Sequence, residues 1–427
     1  MPQTVLKMNV NANENENKNE IIDLIPRYSE NSEPFVISDG DGAVQLISEN
    51  TSADEWRGYC RKLTDAGFAP VWERTAAGNL FAAYRKGDCA VTTYFTPFNS
   101  FARIVAEPSG NMSPADSAFN AEKLCTPLLT QIGRTFSTTG VFRGVAVNCG
   151  LMSYIIRLED GRFIIIDGGL MIDAFADGIM NTLRAQAPDP ENITVAAWII
   201  THTHCDHTGG LIRFTEKFLG CNNVKIDELI LNYPGEQDCR DWIEKNEYYL
   251  RQKSIENYFA FNPTGKLTKV HSGEVRHMGG AELEFLSTQE DFRTPTRSWA
   301  DTRNWNNTSV VFRVRLAGQS IMFLADAGTI QNENLVKMYG DYLKSDICQV
   351  AHHGGAGGTV EVYSAIDPDV ALFTTSDEAF PLYLTDPHNA HLVNDLHVKE
   401  TINAANRITE MDIPYTPGTS RVIDDES

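Results

Sequence analysis

The sequence predicts an α/β protein in which two β-sheets pack face to face between outer layers of helices, an αββα sandwich, preceded by a small α+β domain. Two hairpin patterns carry this prediction, and each ends in a loop that contains an aspartate. The first covers residues 153–167 and turns at Glu159-Asp160-Gly161. The second covers residues 309–326 and turns at Ala317-Gly318-Gln319. Two such halves, with helical segments between them, are typical of a layered fold built around two sheets.

The first 33 residues are predicted to form a disordered tail. They include the run Met8-Asn9-Val10-Asn11-Ala12-Asn13-Glu14-Asn15-Glu16-Asn17, which is poor in large apolar side chains. Such a segment buries too little apolar surface to offset the entropy that it loses on ordering. We assign no chemistry to this tail.

Residues 34–107 are predicted to form the small α+β domain. Ser52 is positioned to cap a helix that carries Trp56, Tyr59 and Leu63 on one face. Alternating segments separated by glycine-containing turns predict an antiparallel meander beside this helix. The aromatic side chains of this domain form either its core, which we favour, or a binding face.

A linker is predicted at residues 108–125, followed by the sandwich domain at residues 126–427. The linker begins in a stretch rich in proline, glycine and serine. Behind the first aspartate loop, residues 171–185 have apolar side chains near helical spacing. The apolar run at 195–200 is too short for a helix and is typical of a buried strand.

That strand leads into the most informative motif of the chain, because His202, His204, Asp206 and His207 form an H-x-H-x-D-H array. Three imidazoles and one carboxylate within six residues suit a divalent ion such as Zn²⁺, with Mn²⁺ or Fe²⁺ as alternatives. The carboxyl end of a buried strand is also where open α/β sheets place their ligands. Histidines occur in polar loops by chance, but four ligand-type residues in this order favour a metal site. Cys205, inside the array, is expected to be a bystander rather than a ligand or nucleophile.

These motifs resemble those of the metallo-β-lactamase superfamily. Asp167-Gly168-Gly169 is similar to its first motif, and the array at 202–207 is similar to its second. Asp326 matches the carboxylate that bridges two metals, and His352-His353-Gly354-Gly355 resembles the last ligand motif. That last motif is closest in style to the hydrolase domain of bacterial DNA-uptake channel proteins. The resemblance covers residues 126–420, and its motifs occur in family order.

The resemblance implies a metallo-β-lactamase sandwich with one or two zinc ions. The metal ligands that it implies are His202, His204, Asp206, His207, Asp326 and His352. Relatives with His-Trp-Gly at the last motif use its first residue, which favours His352 over His353. Asp206 would also orient the attacking hydroxide, and Asp167 would hold a ligand histidine in its working tautomer. His391 matches loosely, either as a proton donor to the substrate or as a residue near a helix start.

One ligand position of the family is missing. A third histidine should follow a strand after a Gly-Gly hairpin, but here the strand at 281–286 leads to Ser287-Thr288. Ser287 or a water molecule would have to fill the gap. His271 and His277 precede this strand, and we expect both to be structural or surface residues. The gap leaves the first metal position poorer in ligands than the second.

Charge and composition bound the partners. The 427 residues carry a formal net charge of −21, which repels phosphate-rich polymers, so we expect a small-molecule substrate and no extended nucleic-acid surface. The eight cysteines show no C-x-x-C spacing, and neither a secretory leader nor a bilayer-length apolar run is evident. We therefore expect a cytoplasmic protein with reduced thiols and no membrane association, of open oligomeric state.

Together these observations predict a metal-dependent hydrolase that acts on an ester, lactone or phosphodiester bond, with phosphodiesters slightly favoured. The competing hypothesis is a non-catalytic metal-binding or ligand-binding protein on a degenerate metallo-β-lactamase fold. Iron-centred redox chemistry is a third possibility, but the chain lacks a flavin-binding segment and the expected carboxylate-rich pattern. Because one scaffold of this kind hosts many reactions, the fold does not identify the substrate.

Overall fold

The structure is a computed structural model. The residues that it describes are 21–29, 33–40, 42–113, 122–133, 139–142, 145–148, 152–235, 245–297 and 305–423. Of the predicted tail, residues 1–20 and 30–32 therefore lie outside the described part, as do residues 114–121 of the predicted linker.

An antiparallel sheet with one helix forms the amino-terminal part, which we call the front domain. Its elements are β1 Phe35–Gly40, β2 Ala43–Ser48, α1 Ala53–Asp65, β3 Ala69–Ala76, β4 Asn79–Lys86, β5 Cys89–Thr96 and β6 Phe101–Pro108. The strand order is β1-β2-β6-β5-β4-β3. Helix α1 begins at the predicted cap, Ser52, which forms a capping box with Glu55. Its buried face carries Trp56, Tyr59 and Leu63, so the two aromatic side chains of the helix lie in the core.

Residues 21–29 differ from the predicted disordered tail at 1–33. Ile21, Ile25 and Tyr28 are buried in the hydrophobic core of the front domain. The Tyr28 hydroxyl is also 2.6 Å from Thr51 Oγ1. These apolar side chains offset the ordering entropy locally, which the low-complexity composition of the preceding residues concealed.

The first sheet of the sandwich and the helices that follow its strands occupy the next part of the chain. These elements are β7 Leu128–Ile132, β8 Thr139–Phe142, β9 Val145–Asn148, β10 Ser153–Arg157, β11 Phe163–Asp167, α2 Asp173–Gln186, β12 Ile193–Ile199, α3 Cys205–Lys217, β13 Val224–Ile226, β14 Glu228–Leu231, α4 Lys245–Phe261 and β15 Lys266–Lys269. Strands β8 and β9 form a separate pair. In the sheet, β11 pairs antiparallel with β10, as the hairpin pattern predicted, and parallel with β12.

The second sheet and the return to the first complete the sandwich. The elements are β16 Val275–Met278, β17 Ala281–Ser287, α5 Gln289–Phe292, β18 Val311–Leu316, β19 Gln319–Phe323, α6 Thr329–Tyr339, β20 Ile347–Gln349, α7 Val360–Ile366, β21 Val370–Phe373, α8 Phe380–Tyr383, α9 Pro387–Asn394, β22 Glu400–Asn403, β23 Ile408–Asp412 and β24 Arg421–Ile423. Strands β16 to β22 lie side by side in chain order, and β18 pairs antiparallel with β19. Strand β23 crosses back to pair with β7 in the first sheet.

The main core lies between the two sheets, and two further cores lie on their outer faces. Apolar side chains of β10 to β12 meet those of β17 to β19 in the central core. Helices α2 and α3 cover the outer face of the first sheet, while α6, α7 and α9 cover that of the second. The predicted αββα sandwich, preceded by a small α+β domain, is therefore confirmed. No described helix combines the length and apolarity that a membrane span requires.

The front domain packs on the helical side of the second sheet. Phe81 and Tyr94 belong to the same buried cluster as residues of β18, β19 and α6. Arg74 forms an ion pair with Glu284, whose other oxygen lies 2.6 Å from an Arg313 amino group. The two parts therefore share a core and a buried charge network.

Candidate metal centre

Four strand ends deliver the predicted site residues to one edge of the sandwich. Strand β11 ends at Asp167, and β12 leads into the loop that carries the array at 202–207. In the second sheet, β19 precedes Asp326, and β20 precedes the turn with His352 and His353. Because neighbouring strands end at the same edge of each sheet, residues distant in sequence converge there.

Gly210 permits α3 to approach the Asp167 loop. A Cβ atom on Gly210 would lie 1.8 Å from the carbonyl oxygen of Gly168, which no other residue at that position would tolerate. His207 lies one turn before Gly210 in this helix, and its ring reaches Asp167 at the end of β11.

Asp167 orients one of these side chains. Its Oδ2 lies 2.8 Å from His207 Nδ1, while its two oxygens accept hydrogen bonds from the Thr201 amide and hydroxyl at 2.8 Å. All three residues are buried. If Nδ1 of His207 donates to this carboxylate, Nε2 presents its lone pair to the centre, as a metal ligand requires.

Asp206, His207, Asp326 and His353 bring four ligand atoms together. Asp326 Oδ2 lies 3.3 Å from His207 Nε2 and 3.4 Å from His353 Nε2. His353 Nε2 also lies 3.4 Å from Asp206 Oδ2. Ligand atoms at about 2.0–2.2 Å from a tetrahedral ion are separated by about 3.3–3.6 Å. Three of the six separations among these atoms therefore fall in the range of a tetrahedral site, and Asp206, His207 and His353 form one set of ligand atoms within 4.8 Å of one another.

Three buried ligand atoms of this group lack a hydrogen-bond partner among the described residues: His207 Nε2, His353 Nε2 and Asp326 Oδ1. Buried polar atoms are rarely left unsatisfied, because each costs about 1–3 kcal/mol. A metal ion would satisfy them. The residues present thus fit a divalent ion with nitrogen and oxygen ligands.

The electrostatics of the group also favour a positive charge at its centre. Burial opposes the charged form of His353, but Asp326 and Asp206 outweigh it and raise the pKa of His353 to about 9. Burial likewise opposes the charged form of Asp326, yet the neighbouring histidines hold the pKa of its carboxyl well below the usual range. A bound cation would take the place of the protons that these carboxylates attract.

His202 and His204 lie beside this group. His202 Nε2 is 3.0 Å from His204 Nδ1 and 3.9 Å from Asp326 Oδ2. With His207 and Asp326, His202 forms a second set of ligand atoms within 4.8 Å of one another. Burial, together with His207 and His204, lowers the pKa of His202 well below its usual value. His202 is thus neutral and able to ligate, whereas His204 belongs to neither set of ligand atoms among the described residues.

The two histidines of the last motif have different surroundings. His353 is buried, and its Nδ1 lies 2.9 Å from Thr374 Oγ1, which leaves Nε2 directed at the carboxylates. His352 is more exposed, with Nδ1 close to the Ala356 carbonyl oxygen and Nε2 3.2 Å from the Asn306 amide nitrogen. Its Nε2 is 3.7 Å from Asp326 Oδ2. The geometry favours His353 as the ligand, whereas the sequence resemblance favoured His352.

Other sequence candidates lie outside the group of ligand atoms. Ser287 is buried and accepts a hydrogen bond from the Gln331 amide at 3.2 Å, so its hydroxyl is engaged by the protein. His391 Nε2 lies 2.8 Å from Ser364 Oγ, and its Nδ1 lies 3.0 Å from Asp395 Oδ2. Among the described residues, the structure therefore does not bring His391 into either set, and the Ser287 hydroxyl is hydrogen-bonded to Gln331.

The third-motif region holds a different histidine in a structural role. His271 is buried between two carboxylates, at 2.9 Å from Glu107 and 3.1 Å from Glu290. His277 is half-buried beside Glu282. Cys205 is exposed. Neither these histidines nor Cys205 joins a set of ligand atoms within the described chain.

Sequence reasoning missed several residues that support the centre. Thr203, between two array histidines, accepts a hydrogen bond from Trp305 Nε1 at 2.9 Å. Asn306, the residue after Trp305 in the 3₁₀ turn Trp305–Thr308, contacts His352. Thr201 could have been found, because it adjoins the array, but no signal in the chain links Trp305 or Asn306 to it.

Residues 169–375 match a family model, the beta-lactamase superfamily domain. A search of curated proteins gave no match. The solved structures that match include CmlA, a diiron β-hydroxylase from Streptomyces venezuelae, at 14% identity and a TM-score of 0.37, covering 70% of this chain and 54% of that one. Unliganded yeast PDE1 matches at 12% identity and a TM-score of 0.39, with 66% and 99% coverage. A flavo di-iron protein variant from Thermotoga maritima matches at 17% identity and a TM-score of 0.28, covering 66% of this chain and 56% of that one.

This chain spans about half the length of the hydroxylase chain that it matches. The specific likeness to DNA-uptake channel proteins stays a prediction.

All members of the two sets of ligand atoms lie inside the matched segment. The chain therefore has a metallo-β-lactamase fold, and its residues 169–375 correspond to the beta-lactamase superfamily domain.

Proposed function

We propose that the protein is a metal-dependent hydrolase that cleaves an ester, lactone or phosphodiester bond of a small molecule. The observation that carries this proposal is the convergence of Asp206, His207, Asp326 and His353, whose ligand atoms lie 3.3–3.4 Å apart in three pairs. The three unsatisfied buried atoms in that group add independent support. Zn²⁺ is the ion that we expect first, and Mn²⁺ and Fe²⁺ suit the same nitrogen and oxygen donors.

When bound, such an ion lowers the pKa of a coordinated water to about 7 and polarises the substrate oxygen. The protein's own groups supply position and charge. Asp167 holds the ring of His207, and Thr374 holds that of His353. The side chain of Asp206 is 26% exposed, so water can reach its carboxylate. In this proposal the carboxylate orients a nucleophilic water by accepting a hydrogen bond from it.

Small phosphodiesters are the first substrate class to test. The Ala-Asp-Ala-Gly loop and the His-His-Gly turn favour them weakly over esters and lactones. A net charge of −21 disfavours long polyanions, which supports a small substrate.

The test compares hydrolysis of bis-p-nitrophenyl phosphate, p-nitrophenyl esters and lactones by zinc-, manganese- and iron-loaded protein. We expect turnover of at least one class by the wild type, and its loss in His207→Ala. His397→Ala is the matched control, because this exposed histidine pairs with Asp367 at 2.9 Å and lies outside the centre. Equal rates in wild type and His207→Ala across the whole panel would contradict the proposal.

A non-catalytic metal-binding or ligand-binding role is the second candidate. The missing third-motif histidine favours it, since the residue at that place, Ser287, is hydrogen-bonded to Gln331. Tight binding of a ligand or partner that is unaffected by removal of the metal would support this role over hydrolysis.

A further inference from the structure

The front domain is hydrogen-bonded to the segment that follows β17, the strand after which the third-motif histidine is missing. Tyr94 donates a hydrogen bond to Asp291 Oδ1 at 2.8 Å. Arg103 donates to the Arg293 carbonyl oxygen at 2.7 Å and to the Asp291 carbonyl oxygen at 3.4 Å. All of these contacts join residues of β5 or β6 to the segment 288–293, which we call the third-motif loop.

A second group of contacts holds the third-motif loop at Glu290. Gln45 donates to the Glu290 carbonyl oxygen at 3.0 Å. The Glu290 carboxylate shares His271 with Glu107 of the front domain. Both carboxylates and the imidazole are buried, so each depends on the others for its charge to be compensated.

The third-motif loop in turn contacts the segment that supports the array. Phe292 and Trp305 form one buried apolar cluster. Trp305 donates its indole N–H to Thr203 Oγ1 at 2.9 Å. Thr203 lies between His202 and His204, so this bond ends on a side chain within the array that carries His202 and His207.

A parallel route leads to the last motif. Gln331 donates from its side chain to Ser287 Oγ at 3.2 Å, and its backbone amide donates to Asn307 Oδ1 at 3.2 Å. The neighbouring Asn306 contacts His352 Nε2 at 3.2 Å. Short, mostly buried contacts therefore connect the third-motif region both to the array at 202–207 and to the last motif.

We infer that the front domain is a positioning part of the metal centre, which it holds in place through the third-motif loop. This inference rests on the proposed metal-dependent function. In a site with a third-motif histidine, the ion itself would tether this part of the chain. Here Ser287-Thr288 offers no such ligand, so Tyr94, Arg103 and Gln45 provide the anchor instead.

The experiment measures the zinc dissociation constant by competition with a chelator, and the visible spectrum of the Co²⁺-loaded full-length protein. The variants are Tyr94→Phe, which removes one hydroxyl, and Arg103→Ala, which removes both guanidinium contacts. Tyr28→Phe is the matched control, because its hydroxyl is also buried in the front domain but contacts Thr51. Thermal unfolding of each variant separates a change of overall stability from a change at the centre.

We expect zinc binding to weaken about two- to thirty-fold in Tyr94→Phe and Arg103→Ala, the range found for residues along a coupling network. The Co²⁺ spectrum should change with it, while Tyr28→Phe leaves both unchanged. If Arg103→Ala does not fold, Tyr94→Phe decides the test.

Two results would overturn the inference while leaving the proposed function intact. One is wild-type zinc affinity and an unchanged Co²⁺ spectrum in the variants that fold. The other is an equal loss of affinity in Tyr28→Phe, which would indicate a general loss of stability. A wild type that binds neither ion would overturn the proposed function, and this inference with it.

Discussion

Four residues at the centre have left-handed backbone conformations that favour glycine. Their φ angles are 56° at Asp167, 51° at Ala325, 52° at His352 and 58° at His353. Such a conformation costs roughly 1–2 kcal/mol per residue with a side chain, so the surrounding structure must enforce it. Two consecutive residues of this kind turn both imidazoles of the last motif towards Asp326. Four of the ten non-glycine residues with positive φ in the described part of the chain thus lie where ligand atoms converge.

The contrast between His353 and His352 can be tested by replacing each with alanine. His353→Ala removes a buried ligand atom, so zinc affinity should fall more than about 100-fold, beyond the 10- to 100-fold typical of outer partners. His352→Ala removes a group whose nitrogens contact Ala356 and Asn306, and the loss should be about 10-fold or less. Chelator competition measures both constants. A larger loss in His352→Ala would reverse the assignment.

The role of Asp167 can be tested with an isosteric change. Asp167→Asn keeps the shape of the side chain but replaces one acceptor oxygen with a donor, so it no longer matches both His207 Nδ1 and Thr201. We expect zinc affinity to fall about 10- to 100-fold. Calorimetric titration of metal-free protein measures it, and an unchanged affinity would exclude an orienting role.

At the level of single residues, adjacency decided what the sequence could reveal. The array was evident because its four ligand-type residues lie within six positions, and Asp326 followed from a hairpin pattern. The choice between His352 and His353 depends on two unusual backbone angles, which no residue type signals. The Asn306–His352 contact joins residues 46 positions apart and has no counterpart in the local pattern.

At the scale of elements, buried charged side chains lie beside the hairpin of β16 and β17. His271 precedes it, and burial there opposes the imidazolium. The carboxylates of Glu107 and Glu290 outweigh that effect and raise the pKa of His271 to about 10. The predicted structural role of this histidine agrees with these contacts, although its acidic neighbours lie 164 and 19 positions away and could not be foreseen.

This network predicts a pH dependence of stability. The ordinary pKa of histidine is about 6.5, so the folded state holds its proton more tightly than the unfolded state. The stabilisation is complete below about pH 6.5 and is lost as the pH rises through about 10. Burial also raises the pKa of the nearby Glu274 to about 7, so the window above pH 7 excludes that carboxyl. His353, whose pKa is about 9, also titrates in this window, and comparison with a His271 variant cancels its contribution.

Urea unfolding from pH 7 to 10 measures this effect. The free energy of unfolding should fall more steeply in the wild type than in His271→Gln, by an amount on the order of a few kcal/mol. Parallel curves would show that His271 is neutral in the folded protein.

At the scale of the whole molecule, the front domain and the sandwich share structure. Phe81 and Tyr94 complete a core that also contains Leu286 and Met322. Glu284, in β17, pairs with Arg74 from one part and Arg313 from the other, and these two cations hold the pKa of its carboxyl at about 2 although burial opposes ionisation. Separation of the two parts would expose the shared core and remove Arg74 from this carboxylate.

We therefore expect one cooperative unfolding transition. Circular dichroism and tryptophan fluorescence should report the same urea midpoint, although proteins with several domains often unfold in steps. Two resolved midpoints would mean that the shared core does not couple the parts.

Global organisation was only partly predictable from the chain. The sandwich followed from strand patterns and motif order, because local periodicity determines which faces are buried. The docking of the front domain did not, since contacts such as Tyr94–Asp291 join residues 197 positions apart. Residues 21–29 were assigned to a disordered tail because polar composition nearby outweighed three apolar side chains that find a partner surface.

The central claim is that Asp326 and its neighbours hold a metal ion. The most direct measurement is metal content per chain, by mass spectrometry, in wild type and Asp326→Ala purified without added metal. We expect at least one ion per wild-type chain and a sharp loss in the variant, with folding checked by circular dichroism. A wild type without metal, or a folded variant that retains the full content, would contradict the assignment of this centre.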